Sequence, residues 1–165
     1  MSSETQMVDF DEPRIAEFRA NLNQLVVAGA AGKIHQSLIA EFRASGGKVS
    51  GMFTGAPLLL LTTTSAKSGA PSTIPVLHTW DGDRYVVIAS KAGASTNPSW
   101  YRNLQANPRA IVEIGNGTFE AVSSIADGEE RDRLYANQAA QFPIYAEYQQ
   151  KTSRRIPVVI LERLA

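Results

Sequence analysis

Residues 73–90 read TIPVLHTWDGDRYVVIAS. Two runs rich in β-branched and aromatic residues flank Asp81-Gly82-Asp83, a composition that joins antiparallel strands at close range. Working outward, Arg109–Gly115 and Thr118–Ile125 flank Asn116-Gly117 and make a second hairpin. Pro57–Thr64, apolar and then threonine-rich, is a strand before the first hairpin, and Ile156–Leu161 is the last strand. Asn97-Pro98 can cap and open a helix that reaches Asn107-Pro108. Asp127 with Glu130 can cap another, running to about Ala140. Helical crossovers do not alternate with every strand, which argues against a doubly wound parallel sheet. The reading is an α+β fold: a mostly antiparallel sheet curled into a barrel, with helices packed outside.

The first fifty residues read as helical. Glu12-Pro13 opens one helix, with Ile15, Phe18, Leu22, Leu25 and Val26 at three- and four-residue spacing. A second carries Ile34, Leu38, Ile39 and Phe42 and stops at Gly46-Gly47. IAEFRAN at Ile15–Asn21 and IAEFRAS at Ile39–Ser45 share amphipathic chemistry but are too short for a repeat architecture. The expectation is one domain over residues 1–165, with residues 1–32 a helical extension and residues 42–161 the core.

The chain has 165 residues, 44% apolar and 19% charged, an ordinary composition for a soluble globular domain. Sixteen basic and sixteen acidic side chains cancel, so no whole-protein field draws in nucleic acid or anionic membrane. The absence of cysteine excludes disulfides, thiolate catalysis and cysteine metal sites. With only His35 and His78 and no clustered carboxylates, no metal site is expected. The N-terminal MSSETQMVDFDEPR is polar and acidic, and the longest apolar run is Ala56–Leu61. A cytoplasmic protein without an integral membrane segment is therefore expected. Peripheral membrane contact through a helix stays open, as does the oligomeric state. No nucleophile elbow, Walker loop or dinucleotide fingerprint occurs, and GAAGK at Gly29–Lys33 lacks the length of a phosphate loop.

Two loops carry the chemistry. Thr62–Gly69 reads TTTSAKSG, and Ser90–Ala94 reads SKAGA. Each follows a strand and offers a lysine, a hydroxyl and glycine-freed backbone N–H groups, a combination suited to phosphate or carboxylate. Either loop alone reads more readily as a surface turn; the two together, beside the aromatic segment that follows, point to a ligand with spread negative charge. In NPSWYRNLQAN at Asn97–Asn107, Leu104 is a core residue, while Trp100 and Tyr101 either pack or line a flat cofactor's pocket. Asn103 serves a cap or a ligand equally. In FPIYAEYQQKTSRR at Phe142–Arg155, Tyr145 and Tyr148 lie three apart on a helix. They form either an aromatic packing face or a rim that hydrogen-bonds a substrate oxygen. Arg154 and Arg155 read as a solvated pair before the last strand.

PLLLLTTTSAKSGAPSTIPV, DGDRYVVIASKAGASTNPSWYRNLQANP and YAEYQQKTSRRIPVVIL together resemble the deazaflavin (F420)-dependent nitroreductase family of actinobacteria, of the F420H2-dependent reductase or quinone reductase type. The resemblance covers roughly Phe42 to Leu161. It implies a split β-barrel related to flavin-binding oxidases, with coenzyme F420 in its reduced form in place of FMN. By the same resemblance Lys67, Ser68 and Gly69 hold the coenzyme's phosphate and acidic tail, and Pro75, Val76 and Leu77 run along its ring. Ser90, Lys91, Gly93 and Ala94, with Asn97, Trp100, Tyr101 and Asn103, complete the site. Tyr145 and Tyr148 lie over the substrate side. The implied reaction passes hydride to a small-molecule acceptor: a quinone, an α,β-unsaturated carbonyl or a nitro compound. Tyr145, Tyr148 or Ser90 would donate to the developing oxyanion. Of the two tyrosines, Tyr145 is expected to matter more, because Pro143 fixes the helix start. The chain departs from the family's Thr-Thr-x-Gly-Arg-Lys-Ser-Gly loop at Ser65 and Ala66, losing one positive group. Phe142 and Leu77 stand where some members carry tyrosine, which makes the pocket more apolar. An FMN-dependent oxidoreductase of the same fold, and a non-catalytic carrier of F420, haem or lipid, remain the alternatives.

Overall fold

The structure, a computed structural model, describes residues 31–49, 57–115 and 117–164. The helix expected from Glu12 to Val26 lies outside the described residues, as does the extension expected over residues 1–32 except for its last two positions, which begin the first helix. The element order is α1 (Ala31–Ser45), β1 (Leu58–Thr64), β2 (Pro71–Asp81), β3 (Arg84–Ile88), α2 (Ser99–Ala106), β4 (Arg109–Ile114), β5 (Gly117–Ala126), α3 (Gly128–Gln141), α4 (Ile144–Gln150) and β6 (Val158–Arg163). The strands close into one barrel in the order β1-β2-β3-β6-β5-β4, and every pairing is antiparallel. The α+β barrel read from the hairpins is the fold observed.

Alternation divides each strand between two environments. Leu59 and Leu61 of β1, Val76 of β2, Tyr85 and Val87 of β3, Val112 of β4, Phe119 of β5 and Val159 and Leu161 of β6 fill the barrel. Trp100, Tyr101 and Leu104 of α2 join that interior cluster. On the outside, Leu77, Val86, Ile88, Val158 and Ile160 pack against Leu134 and Tyr135 of α3 and Ile144, Tyr145 and Tyr148 of α4. Leu38 and Phe42 of α1 cover Leu60. So α1, α3 and α4 pack outside, and α2 packs its apolar face with the barrel interior.

Three boundaries differ from the sequence reading. β2 starts at Pro71 because Thr62–Thr64 pair with Pro71–Thr73, with the Thr62 and Thr73 hydroxyls 2.7 Å apart. β6 runs from Val158 to Arg163, since Arg163 still pairs with Ala121. The second hairpin turns one position early, since Gly117 already pairs with Ile114. The physical reason is tertiary. A Cβ on Gly115 would stand 2.6 Å from the Gly46 carbonyl oxygen, and one on Gly47 would stand 2.5 Å from the Gly115 Cα. The end of α1 thus docks onto this turn, where a side chain would block it. Arg43 reinforces the contact with a two-pronged pair to Glu113 at 2.9 and 2.8 Å. Asp127 occupies the N-cap position of α3, but its side chain makes no capping bond there. Among the described residues, no helix is long and apolar enough to cross a membrane.

Candidate active site

The β1–β2 loop is exposed at Lys67, Ser68 and Gly69. Its amides are spent inside the loop. Ser65 Oγ accepts from the Lys67 and Ser68 amides at 3.3 and 3.2 Å, and the Ser65 carbonyl accepts from Gly69 N at 2.9 Å. Ser68 Oγ accepts from Ala70 N at 3.2 Å, and Asn103 Oδ1 accepts from Ala66 N at 3.0 Å. The glycine-freed donors read from the sequence are therefore engaged already. What this loop offers an anion is side-chain chemistry, the Lys67 ammonium and the Ser68 hydroxyl. Asn103 is committed at both ends, because its Nδ2 also donates to Thr63 Oγ1 at 3.0 Å. It clips the loop to α2.

The segment after β3 is built differently. Lys91, Ala92 and Gly93 have φ of 46, 55 and 79°. Left-handed backbone at non-glycine residues costs on the order of 1 kcal/mol each and persists only where surroundings enforce it. Gly93 is enforced by proximity, since a Cβ there would stand 2.7 Å from the Tyr148 carbonyl oxygen. The larger restraint is Arg154. Its guanidinium donates to Ala89 O at 3.0 Å, Ser90 O at 2.8 Å, Ala94 O at 3.1 and 2.9 Å, and Asn97 Oδ1 at 2.7 Å. Partial burial moves its pKa down from the ordinary arginine value. Arg154 is thus no solvated residue, and that reading is corrected; Arg155 is exposed and pairs with Asp132 at 2.9 Å. Lys91 Nζ donates to Thr96 Oγ1 at 3.0 Å, and Ser90 is buried.

The remaining candidates fall on the two faces of β2. Val76 packs inside the barrel with Trp100 and Tyr101, both buried. Leu77 packs outside with Tyr145 and Tyr148, whose rings meet edge-on at 5.3 Å. Pro75, just before Val76, is half-buried. Burial pushes the Tyr148 hydroxyl pKa up to about 12 and the Tyr145 hydroxyl higher still. The Gln138 carboxamide lies against the Tyr145 hydroxyl and partly offsets that rise, although among the described residues Gln138 Nε2 makes no hydrogen bond of proper geometry. Gln138 Oε1 accepts from Thr79 Oγ1 at 3.3 Å.

The structure therefore connects the two loops. Asn103 ties the first to α2, Arg154 ties Asn97, just before α2, to the second, and Gly93 rests on α4 beside Tyr148. Sequence reasoning missed Arg154 and Gln138. Nothing local distinguishes Arg154 from Arg155, and Gln138 sits in a helix of low overall hydropathy.

The F420H(2)-dependent quinone reductase family model matches residues 35–163. An F420H(2)-dependent quinone reductase of Mycobacterium tuberculosis is 36% identical over 138 residues, covering 79% of this chain and 89% of the relative. A solved structure described as an F420-H2 dependent reductase, FDR-A, is 40% identical with a TM-score of 0.60, covering 64% of this chain and 94% of its own. A haem storage protein of Vibrio cholerae, HutZ, is 19% identical with a TM-score of 0.51 and shares the fold. With the family model matched over most of its length, and the hairpins, the two lysine loops and the barrel all in place, the chain belongs to the F420H(2)-dependent quinone reductase family.

Proposed function

We propose that the chain binds reduced F420 and uses it to reduce a small organic acceptor, with quinones as the acceptor class. One observation carries this reading: Lys67 and Lys91 sit on loops that Asn103 and Arg154 fasten to one helix. Two cations on a shared frame suit a ligand whose charge is spread over a phosphodiester and a glutamyl tail. The single terminal phosphate of FMN asks for less. The mycobacterial relatives that bear the F420H(2)-dependent quinone reductase name support the same reading. We also take residues 42–161 as the cofactor-binding core and residues 1–32 as an extension, since the family match begins at residue 35.

Reduced F420, when bound, supplies the hydride equivalent. Lys67 and Ser68 would hold the anionic tail through their side chains, and Pro75, Val76 and Leu77 would flank the ring. Tyr145, Tyr148 or Ser90 would donate to the acceptor oxygen where negative charge develops. The Tyr148 hydroxyl, protonated at neutral pH as a phenol ordinarily is, would serve as a hydrogen-bond donor, and the proton that completes reduction would come from tyrosine or water. The apolar packing around Leu77 excludes bulk solvent from this side.

Fluorescence titration of the purified protein with F420 and FMN in parallel tests the assignment. F420 should bind in the low-micromolar range or tighter and FMN much more weakly; equal affinities would remove it. Steady turnover of menadione with reduced F420 separates an enzyme from a carrier. Lys67→Ala should weaken F420 binding by roughly 1.5–3 kcal/mol, the range for a charged hydrogen bond. The loop amides are engaged internally, so the side chain carries this contact alone. The loss should shrink as salt is raised, because Lys67 is exposed and its attraction is screened. Unchanged affinity at low salt would make Lys67 a turn residue only.

A further inference from the structure

We infer that Arg154 is a positioning residue of the cofactor site, holding the Ser90–Lys91 amides as a cradle for an anionic or carbonyl oxygen of the deazaflavin coenzyme. The inference rests on the F420 reading above. The carbonyls of Ala89, Ser90 and Ala94 all turn toward the guanidinium. No cis peptide bond occurs among the described residues. In a trans peptide the N–H points opposite to the C=O of the same plane. The N–H groups of Ser90, Lys91 and Ser95 are therefore directed away from Arg154.

A second, independent observation agrees. Ser90 has φ −75° and ψ −40°, and Lys91 follows with φ 46°. A right-handed residue followed by a left-handed one brings successive amides to one concave side, where they bind oxygen with partial or full negative charge. The Lys91 side chain, on the same segment, adds a cation. The contrast with the first loop is chemical. There Ser65 Oγ takes up the amides of Lys67 and Ser68, so that loop offers side chains. Here an arginine takes up the carbonyls, so this segment offers amides.

Arginine is required for a geometric reason. Its planar fork reaches four acceptor oxygens at once, which an ammonium on a flexible stem does not. Gln149 Nε2 donates to the Arg154 carbonyl at 2.7 Å and holds the arginine's own backbone in turn. The oxygen received could belong to the ring or to the phosphate-bearing tail, and the two share the same acceptor chemistry.

The test compares R154M and R154K with the wild-type protein and with L38A, a variant on the distant α1 face whose buried side chain meets Phe42 and Leu60. Thermal midpoints are measured first, and binding is titrated well below all of them. F420 and its tail-less riboside are titrated in parallel. R154M should lose at least about tenfold in F420 affinity, the scale of one hydrogen bond involving a charged group. R154K should not restore it, and L38A should keep wild-type affinity despite a lowered midpoint. Equal losses for F420 and the riboside place the ring oxygen in the cradle; a loss confined to F420 places the tail there. Wild-type affinity in folded R154M or R154K overturns the inference, as does an equal loss in L38A. A wild-type protein that fails to bind F420 overturns the parent reading and this one with it.

Discussion

Lowering the pH from 6.5 to about 4 should cost the folded chain roughly 3 kcal/mol of stability through His78 alone. His78 is buried inside the barrel, with its ring 4.7 Å from Trp80 and 5.6 Å from Tyr85. Burial lowers its pKa from 6.5 to about 4, and the nearby Pro57 carbonyl offsets only part of the effect. The sign follows from proton binding. Between those pH values the unfolded chain is protonated at His78 and the folded chain is not, so acid favours unfolding. The contribution is complete above 6.5, is lost progressively down to about 4, and changes no further below that. Asp81 acts in a separate window. Arg133 and Arg84 lower its pKa from 3.8 to about 2, so its share is lost only below 3.8. Denaturant unfolding at several pH values from 7 to 4 reads the slope directly. His78→Leu should flatten it with little loss at neutral pH, because among the described residues neither ring nitrogen has a hydrogen-bond partner to forfeit. A wild-type curve already flat across the window, or an undiminished slope in the variant, would show that His78 reaches solvent.

The same residue illustrates what the sequence made legible and what it did not. Strand periodicity and turn residues gave both hairpins, the antiparallel class and the closing barrel, because these follow from neighbours a few positions apart. His78 falls in the first strand of the hairpin, and only the closed barrel decides that it faces inward. Long-range pairing also set the edges. The turn at Gly115 is fixed by Gly46 and Gly47, far upstream in the chain. In the candidate site the lysines and glycines of both loops were visible, and so was their anion chemistry. Their glycine content did not say which amides stay available. That depends on Ser65 Oγ in one loop and on Arg154, some sixty residues away, in the other. Arg154 and Arg155 are adjacent and chemically identical, yet one gathers four acceptor oxygens and the other stays exposed beside Asp132.

Removing one tyrosine hydroxyl should lower quinone turnover on the order of 10–1,000-fold, the scale for loss of a preorganised donor. Cofactor affinity should stay near wild type, since the hydroxyl would face the acceptor. Pro143 at the helix start favoured Tyr145 for this role. The packing around it moves the expectation to Tyr148. Tyr145 lies in the outer core against Gln138, which is itself fully buried, and either orientation of that carboxamide presents a hydrogen-bonding group to the phenol. Tyr145→Phe would take the hydroxyl from beside this buried carboxamide and lower stability, with turnover per folded molecule little changed. Both rings are buried, and the Tyr148 ring stands 6.0 Å from Lys151 Nζ, with its hydroxyl pKa pushed up to about 12. Its backbone carbonyl rests on Gly93, so the hydroxyl is referenced to the same loop that Arg154 holds. Tyr148→Phe should therefore lower the rate of single-turnover oxidation of bound reduced F420 by menadione while leaving the thermal midpoint close to wild type. The two variants separate the effects: stability moves in one, the chemical rate in the other. Wild-type rates in both single variants and in the double variant would take tyrosine out of the reaction. Ser90, the loop amides or water would then be the donors to the developing oxyanion.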